Sequence, residues 1–208
     1  MKTIELFAGT QSFSKVLRQY GAQTFTVDIE NRHKPDLEAD IATLSARDFP
    51  YRPEILWCSP PCEGFSVAAV GHHWCVGGEP KSHTAIKALQ LVRHTLRLVA
   101  ELKPDWFFIE NPRGMLRKQK ILKNTPRHTI TYCQYGDIRM KPTDIWTNAH
   151  WWSPRTPCKN GSPCHEAAPR GSRSGTQGLK GATARGAIPA LLFEEILSQY
   201  PQEIQVAA

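Results

Sequence analysis

The chain has 208 residues and a mass of 23.4 kDa, which predicts one domain with room for little more than a small appendage. A composition of 40% hydrophobic and 22% charged residues excludes a wholly disordered chain, and no run of about 18 apolar residues occurs to span a membrane. The 26 basic and 19 acidic residues give a formal net charge of +7, which favours a polyanionic partner, nucleic acid first. Residues 1–6 lack the pattern of a secretory signal, so we expect a cytoplasmic location and mostly reduced cysteines.

Short apolar segments alternate with amphipathic segments along the first two-thirds of the chain. The predicted strands are residues 3–7, 24–28, 54–58, 106–110, 129–133 and 144–146, and the predicted helices are 13–20, 84–102 and 188–200. This alternation predicts an α/β fold with a doubly wound, mostly parallel sheet. Ligands of such sheets bind beyond the carboxyl ends of the strands, so Gly9, Asp28, Cys58 and Glu110 should share one rim.

The turn after the first predicted strand is Phe7-Ala8-Gly9-Thr10. A glycine lets the backbone approach a ligand here, although many α/β proteins place one in this turn for tight packing alone. Asp28 ends the next predicted strand, where related folds carry an acid that binds a ribose hydroxyl. A tight turn with a solvated acid remains the alternative.

The segment Cys58-Ser59-Pro60-Pro61-Cys62 ends the third predicted strand. The two prolines restrict the chain to an extended turn and present Cys62 at the head of a glycine-containing stretch, residues 67–79. A cysteine just past a strand end in a basic protein is a candidate thiolate nucleophile, and such a stretch is typical of a loop that closes over a substrate. A small buried apolar residue is the alternative for Cys62.

Glu110-Asn111-Pro112 ends the apolar strand 106–110. Burial raises the pKa of a carboxyl group, so Glu110 could stay protonated and donate to a heteroaromatic nitrogen. The alternative is a helix cap, for which Asn111 before Pro112 would also serve. With Cys62 on the same rim, Glu110 indicates covalent attack on a pyrimidine.

Five short motifs, in family order and across nearly the whole chain, resemble those of the DNA cytosine-5 methyltransferases, in the compact form carried by phages and prophages. Phe7-Ala8-Gly9 resembles the first S-adenosylmethionine motif, Pro61-Cys62-Glu63 the Pro-Cys-Gln nucleophile motif, and Glu110-Asn111-Pro112 the Glu-Asn-Val motif. Arg139-Met140-Lys141 resembles the Arg-x-Arg motif, and Gly186-Ala187-Ile188-Pro189 the C-terminal Gly-Asn-x-Val/Pro motif.

The resemblance implies a Rossmann-like, S-adenosylmethionine-dependent enzyme that acts as a monomer on double-stranded DNA in a bacterial or phage-infected cell. Cys62 would attack C6 of a flipped cytosine, Glu110 would hold N3, and Arg139 and Lys141 would contact the flipped nucleotide. The implied cofactor contacts are Phe7, Ala8, Gly9, Thr10, Asp28 (ribose), Ile29 (adenine), Asp40 (adenine amino group), Ile41, Ser59, Pro60 and Ala187. The implied DNA contacts are Pro61, Glu63, Ser66, Asn111, Pro112, Arg155, Lys159, Arg170 and Arg173.

The chain departs from the family pattern at four places. Thr10-Gln11-Ser12 replaces a glycine-rich continuation, and Glu63 replaces the usual Gln, which adds negative charge beside the nucleophile. Lys141 replaces an Arg and loses a bidentate fork, and Ala187 replaces an Asn near the cofactor. None of these changes removes the nucleophile or the acid.

Residues 151–181 are rich in Pro, Gly, Ser and basic residues, with Glu166 as the only acid. We predict a methyltransferase core over 1–150, a basic target-recognition insertion over 151–182 and a C-terminal helix returning to the core over 183–208. A segment of about 30 residues cannot support a hydrophobic core without a staple, and one so short predicts a target of about two to four base pairs. A solvated basic linker is the alternative.

Cys158, Cys164 and His165 could supply such a staple as zinc ligands, with His150 as the fourth. The spacing is not a standard zinc pattern and cysteines in loops are commonly free, so we predict no metal and keep zinc as the alternative.

Two further functions stay open at this point. One is a cytosine-5 methyltransferase acting on tRNA. The other is a catalytically idle DNA-binding relative, disabled by Thr10-Gln11-Ser12, Glu63 or Ala187.

Overall fold

The computed structural model describes residues 1–67, 70–167 and 181–201. Within these ranges seven strands form one sheet in the order β3-β2-β1-β4-β5-β7-β6. The strands are β1 (Lys2–Leu6), β2 (Gln23–Asp28), β3 (Leu37–Glu38), β4 (Ile55–Cys58), β5 (Trp106–Pro112), β6 (Arg127–Thr131) and β7 (Pro142–Thr147). The helices are α1 (Ser12–Gln19), α2 (Val70–His73), α3 (His83–Leu102), α4 (Ala182–Gly186) and α5 (Ala190–Ser198).

The sheet is mostly parallel, as predicted. Strands β1 to β5 pair in parallel, whereas β7 runs antiparallel to both β5 and β6. The carboxyl ends of β1, β2, β4, β5 and β6 therefore lie along one rim, together with the start of β7. The register pairs Pro112 with Thr143 and Thr131 with Pro142, so the segment between β6 and β7 begins and ends beside the end of β5.

Strand β4 is buried on both faces, which explains its continuous apolar sequence. Side chains alternate between the faces of a strand, so Leu56 packs in the apolar layer under α3 and Trp57 in the layer under α1 and α5. The Trp57 ring lies 5.6 Å from that of Phe13 on α1 and 4.9 Å from that of Phe193 on α5, between centroids. These contacts place one helical layer on each face of the sheet.

Helix α3 begins one residue before the predicted start. The hydroxyl of Ser82 caps it by accepting a 3.1 Å hydrogen bond from the amide of Ala85, and Lys103 ends it in a left-handed conformation. Leu89 and Val92 are buried, as the helical periodicity predicts, whereas Ile86, at the start of the same periodic stripe, is 43% exposed.

The segment predicted as a strand over 129–133 differs in the structure. Strand β6 ends at Thr131, and Tyr132–Tyr135 form a 3₁₀ turn that closes at Gly136 with φ of +83°. Pairing with β7 ends at this point, so the turn is free to bend over the rim. Strand β3 and helices α2 and α4 were not predicted, and α5 is shorter than predicted at both ends.

The first residues of the predicted insertion, Trp151 and Trp152, pack against the core. Trp152 is 2% exposed and its ring nitrogen donates a 3.3 Å hydrogen bond to Glu195 of α5. Residues 153–167 contain no helix or strand. Among the described helices, none combines the length and apolar character that crossing a bilayer requires.

Candidate active site

The turn after β4 carries Cys62 at the rim. The carbonyl oxygen of buried Pro60 accepts a 2.9 Å hydrogen bond from the side-chain amide of Asn111, which ties this turn to the end of β5. The 3₁₀ turn Glu63–Phe65 then packs on α3, where a Cβ added to Gly64 would lie 2.6 Å from the Cβ of Ala88. Cys62 itself is exposed. Contacts on both sides of Cys62 therefore hold this turn against the rim.

Glu110 lies near the end of β5 and is buried. The hydroxyl of Tyr132 donates a 3.0 Å hydrogen bond to its Oε1 atom, and the Ser59 side chain also bonds the carboxyl group. Burial raises the pKa of Glu110, while Lys141 and these two hydrogen bonds oppose the shift. The net direction of the shift is upward, toward the protonated form.

Lys141 supplies a positive charge that acts on both Cys62 and Glu110. Its ammonium nitrogen lies 4.4 Å from the centroid of the Tyr132 ring and donates a 3.0 Å hydrogen bond to the carbonyl oxygen of Arg185. Burial lowers the pKa of Lys141, and the charges of Glu110 and Cys62 oppose that change.

The charges of Glu110 and Lys141 also shift the pKa of the Cys62 thiol. Desolvation and the Glu110 carboxylate raise the pKa of Cys62, whereas Lys141 lowers it. Glu110 and Lys141 both contact Tyr132, and Asn111, next to Glu110, bonds the turn that carries Cys62, so the three groups belong to one site.

Arg139 lies beside this site but turns its guanidinium elsewhere. It is 2% exposed and bonds Asp137 and the carbonyl oxygens of Ala184, Arg185 and Ala187, the last three at 3.1 to 3.4 Å. These bonds fasten α4 and the following residue to the β6–β7 segment. Its contact with a flipped base stays a prediction.

The turn between β1 and α1 forms a second group of polar atoms on the rim. The amide of Gly9 donates a 2.7 Å hydrogen bond to Oδ2 of Asp28, and the amide of Glu30 donates a 2.8 Å hydrogen bond to Oδ1. Phe7 and Gly9 adopt left-handed conformations with φ of +57° and +45°. Gly9 and Asp28 therefore lie together on the rim, as predicted.

Glu5 of β1 bonds the start of α1 next to this turn, and no sequence motif marks it. Its carboxylate accepts hydrogen bonds from the amides of Phe13 (3.3 Å) and Ser14 (2.9 Å) and so caps α1. Burial raises the pKa of Glu5 to about 7, with the bonds to Ser14 acting in the opposite direction. An acid between the apolar residues Ile4 and Leu6 of a predicted strand was the available signal.

The other predicted cofactor contacts surround this turn. Ile29 is 62% exposed directly after β2, whereas Ile41 is 2% exposed and packs in the core. Asp40 accepts a 2.9 Å hydrogen bond from the amide of Ala42. The hydroxyl of Ser12 bonds the hydroxyl of Thr10 at 2.7 Å and accepts from the amide of Ile188, next to Ala187, at 3.3 Å. The C-terminal motif therefore reaches the first one.

The predicted DNA contacts are dispersed. Pro61, Glu63 and Ser66 lie near Cys62 in the chain. Asn111 is buried, and Pro112 ends β5. Arg155 donates to Glu195 (3.0 Å) and to the carbonyl oxygen of Gln134 (2.6 Å), so it anchors the insertion, and Lys159 is exposed. Arg170 and Arg173 lie outside the described residues.

The structure corrects the proposed metal ligands. His150 packs its ring against Trp106, 5.3 Å between centroids, and was wrong as a fourth ligand. Cys133, in the turn after β6, instead lies with Cys158, Cys164 and His165.

The fold and the rim define a class: a Rossmann-like methyltransferase, with a glycine turn after β1 and an acid at the end of β2. Residues 1–131 match the family model of the C-5 cytosine-specific DNA methylases. The chain is also 30% identical over 216 residues to a probable DNA (cytosine-5)-methyltransferase of frog virus 3 (isolate Goorha), covering 95% of this chain and 99% of that protein. The chain belongs to the C-5 cytosine-specific DNA methylase family, and its enzyme class is DNA (cytosine-5)-methyltransferase.

One solved structure supports the fold. A putative DNA modification methyltransferase encoded within an E. coli prophage superposes with a TM-score of 0.53 at 18% identity, over 75% of this chain and 51% of that one. The Dnmt2 methyltransferase of S. pombe gives a TM-score of 0.47 at 18% identity, over 71% and 48%. The chain spans about half the length of these two solved structures.

Proposed function

We propose that this chain transfers the methyl group of S-adenosylmethionine to C5 of a cytosine flipped out of double-stranded DNA. The observation that carries the proposal is the grouping of Cys62, Glu110 and Lys141 on one rim, beside the Gly9–Asp28 turn. A nucleophile and a protonated acid are the two groups that activation of a pyrimidine ring requires.

Cys62 forms a bond from its sulfur to C6 of the cytosine, and Glu110 donates a proton to N3 as electron density moves into the ring. C5 thereby becomes nucleophilic, and a bound S-adenosylmethionine would supply the methyl group there and leave as a neutral thioether, keeping the electron pair of the broken methyl–sulfur bond. A base carried by solvent then takes the C5 proton, the electrons of that C–H bond form the C5–C6 double bond, the sulfur of Cys62 leaves C6 as a thiolate, and N3 returns its proton to Glu110. Lys141 stabilises the thiolate that begins this sequence, because it lowers the pKa of Cys62.

The residues near the β1–α1 turn fit an adenosyl donor. A Cβ on Gly9 would meet no atom closer than 4.0 Å, so the space beside this backbone is open. Asp28 ends its strand with a half-buried carboxylate that suits a ribose hydroxyl, and exposed Ile29 offers an apolar surface to an adenine ring. The bound donor would supply the methyl group.

Two features support a nucleic acid as the substrate, and the DNA methylase family to which the chain belongs favours DNA. The net charge of +7 favours a polyanion, and Lys159 in the insertion is exposed. A base inside a duplex cannot reach a rim of this kind, so the cytosine must leave the stack.

The test is covalent trapping on duplex DNA that carries 5-fluorocytosine. Fluorine at C5 cannot leave as a proton does, so the enzyme should remain bonded to the base after methyl transfer. Cys62→Ser should bind duplex DNA yet form no adduct, whereas Cys75→Ser, which removes another exposed thiol, should form it as the parent does. Absence of an adduct and of methylation on every duplex tested would overturn the proposal.

Two further measurements separate the alternatives. Preferential methyl incorporation into tRNA in a competition with duplex DNA would assign the enzyme to RNA. Absence of S-adenosylmethionine binding in calorimetry would indicate an idle relative.

A further inference from the structure

We propose that Cys133, Cys158, Cys164 and His165 bind a structural zinc ion that fastens the insertion to the turn after β6. The four ligand atoms, three sulfurs and one ring nitrogen, lie within 4.8 Å of one another. Cys133 comes from the 3₁₀ turn Tyr132–Tyr135, and the other three come from the insertion, 25 or more residues later.

The distances between ligands fit a tetrahedral ion. With bonds from zinc of about 2.3 Å to sulfur and 2.0 Å to nitrogen, tetrahedral geometry separates two sulfurs by about 3.8 Å and a sulfur from a nitrogen by about 3.6 Å. Nδ1 of His165 lies 3.6 Å from the sulfur of Cys158 and 3.6 Å from that of Cys164. The sulfurs of Cys133 and Cys164 are also 3.6 Å apart, and those of Cys133 and Cys158 are 3.1 Å apart. One of these four separations is shorter than the ideal, and the other three agree with it.

The surrounding atoms hold the ligands in place. The amide of Cys158 donates a 2.9 Å hydrogen bond to the hydroxyl of Thr131, and the Gln134 side chain donates to the sulfur of Cys164 at 3.5 Å. Partners of this kind orient metal ligands and donate to thiolate sulfur.

The ligand set selects the metal and the kind of site. Thiolates and imidazole together favour zinc over magnesium or calcium, which prefer oxygen ligands. Four protein ligands fill a tetrahedral ion and leave no position for substrate, so the site is structural. Three thiols lose their protons to the solvent as the ion binds.

The described part of the insertion needs such an ion because it has no core of its own. Residues 153–167 contain no buried side chain and no helix or strand. Its protein tethers include the Arg155–Glu195 ion pair and a 2.9 Å hydrogen bond from the amide of Glu166 to the carbonyl oxygen of Ile138. Metal binding supplies folding free energy where apolar burial cannot.

The site would connect DNA recognition with the catalytic acid. Cys133 follows Tyr132, whose hydroxyl donates to Glu110. An ion at Cys133 would therefore fix the turn that orients Glu110 and, through the other ligands, the segment that carries Lys159.

Metal analysis of the full-length protein tests this inference without any substrate, so its result is independent of the proposed enzyme function. The protein, purified without chelator, should contain one zinc ion per chain by inductively coupled plasma mass spectrometry. Cobalt substitution should give the thiolate charge-transfer absorption of a tetrahedral site. A folded chain with no zinc, or with a disulfide between any two of these cysteines, would overturn it.

Variants assign the ligands. Cys158→Ser and Cys164→Ser should lose the zinc ion, whereas Cys75→Ser, at a cysteine outside the cluster, should retain it. If a ligand variant fails to fold, the parent protein still decides the matter. A strong zinc chelator should lower its melting temperature, and added zinc, but not magnesium, should restore it; unchanged melting under the chelator contradicts the site.

Discussion

Burial controls the protonation of individual residues at the rim. It raises the pKa of both Cys62 and Glu110, which suits the acid but reduces the thiolate needed for attack. The positive charge of Lys141 opposes both increases in pKa. The charge of Lys141 therefore favours the Cys62 thiolate and limits the increase in the pKa of Glu110.

Removing this charge should change the pH dependence of adduct formation. In Lys141→Met the pKa of Cys62 rises further, so the pH at which the rate reaches half its maximum should move upward. The pKa of Glu110 rises too, which keeps the acid protonated and leaves thiolate formation as the step that changes. The measurement is the rate of trapping on 5-fluorocytosine DNA across pH.

Lys141→Arg is the matched control, because it keeps the positive charge and has the residue usual in the family. Its pH profile should stay close to that of the parent protein. An unmoved profile in Lys141→Met would show that the ammonium does not act on the thiol.

Glu5 should make folding stability depend on pH. Its pKa is about 7 in the folded chain and 4.5 in the reference state, so below pH 4.5 both states are protonated and the full stability is present. As pH rises to about 7, the unfolded chain loses its proton first and the free energy of unfolding falls by about 3 kcal/mol. Glu5→Gln should remove most of this decline in denaturant titrations.

Glu38→Gln, a change at an exposed carboxylate, should preserve the decline. If the free energy of unfolding fell equally with pH in Glu5→Gln and in the parent, the titrating group would lie elsewhere.

At the scale of elements, the site depends on two close backbone approaches. The turn Glu63–Phe65 lies against α3 at Gly64 and against the end of β5 at Gly114. A Cβ on Gly114 would lie 2.2 Å from the carbonyl oxygen of Phe65, a backbone atom that cannot rotate away. The position of Cys62 is thus set by two elements distant in sequence.

Gly114→Ala should displace this turn. We expect a loss of about 1 to 3 kcal/mol in unfolding free energy, typical of overpacking, and slower adduct formation at Cys62. Thermal unfolding and 5-fluorocytosine trapping measure the two effects.

Gly77→Ala is the control, since a Cβ there meets no atom within 4 Å. A Gly114→Ala protein as stable and as reactive as Gly77→Ala would refute the close approach.

At the scale of the whole molecule, the positive net charge is the property that bears on DNA binding. The chain spans about half of the prophage-encoded methyltransferase that it resembles in fold, and its described insertion has no core. A net charge of +7 supplies affinity for DNA that is independent of sequence and sensitive to salt.

Lys159→Gln should weaken binding to all duplexes by a similar factor. The plot of log affinity against log salt concentration should become shallower by about one unit, because one phosphate contact is lost. Fluorescence anisotropy with two unrelated duplexes measures this change.

Lys103→Gln, at the far end of α3, should leave the slope unchanged. Equal slopes for the two variants would remove Lys159 from the DNA interface.

Local pattern was sufficient for much of this protein. Apolar runs such as Ile55–Cys58, and the periodicity of α3, follow from side-chain alternation and helical spacing, which act within a few residues. The polar groups that end the strands, Asp28 and Glu110 among them, could also be predicted, because the carboxyl ends of parallel strands meet at one edge of a sheet.

Contacts between distant segments required the folded chain. Cys133 was assigned to a strand, yet the end of β6–β7 pairing turns it toward three residues of the insertion. Arg139 is predicted to contact the substrate, but its bonds to Asp137 and to the carbonyl oxygens beside α4 could not be read from the sequence. Such partners lie across loops whose path depends on three-dimensional packing, which no pattern of neighbouring residues encodes.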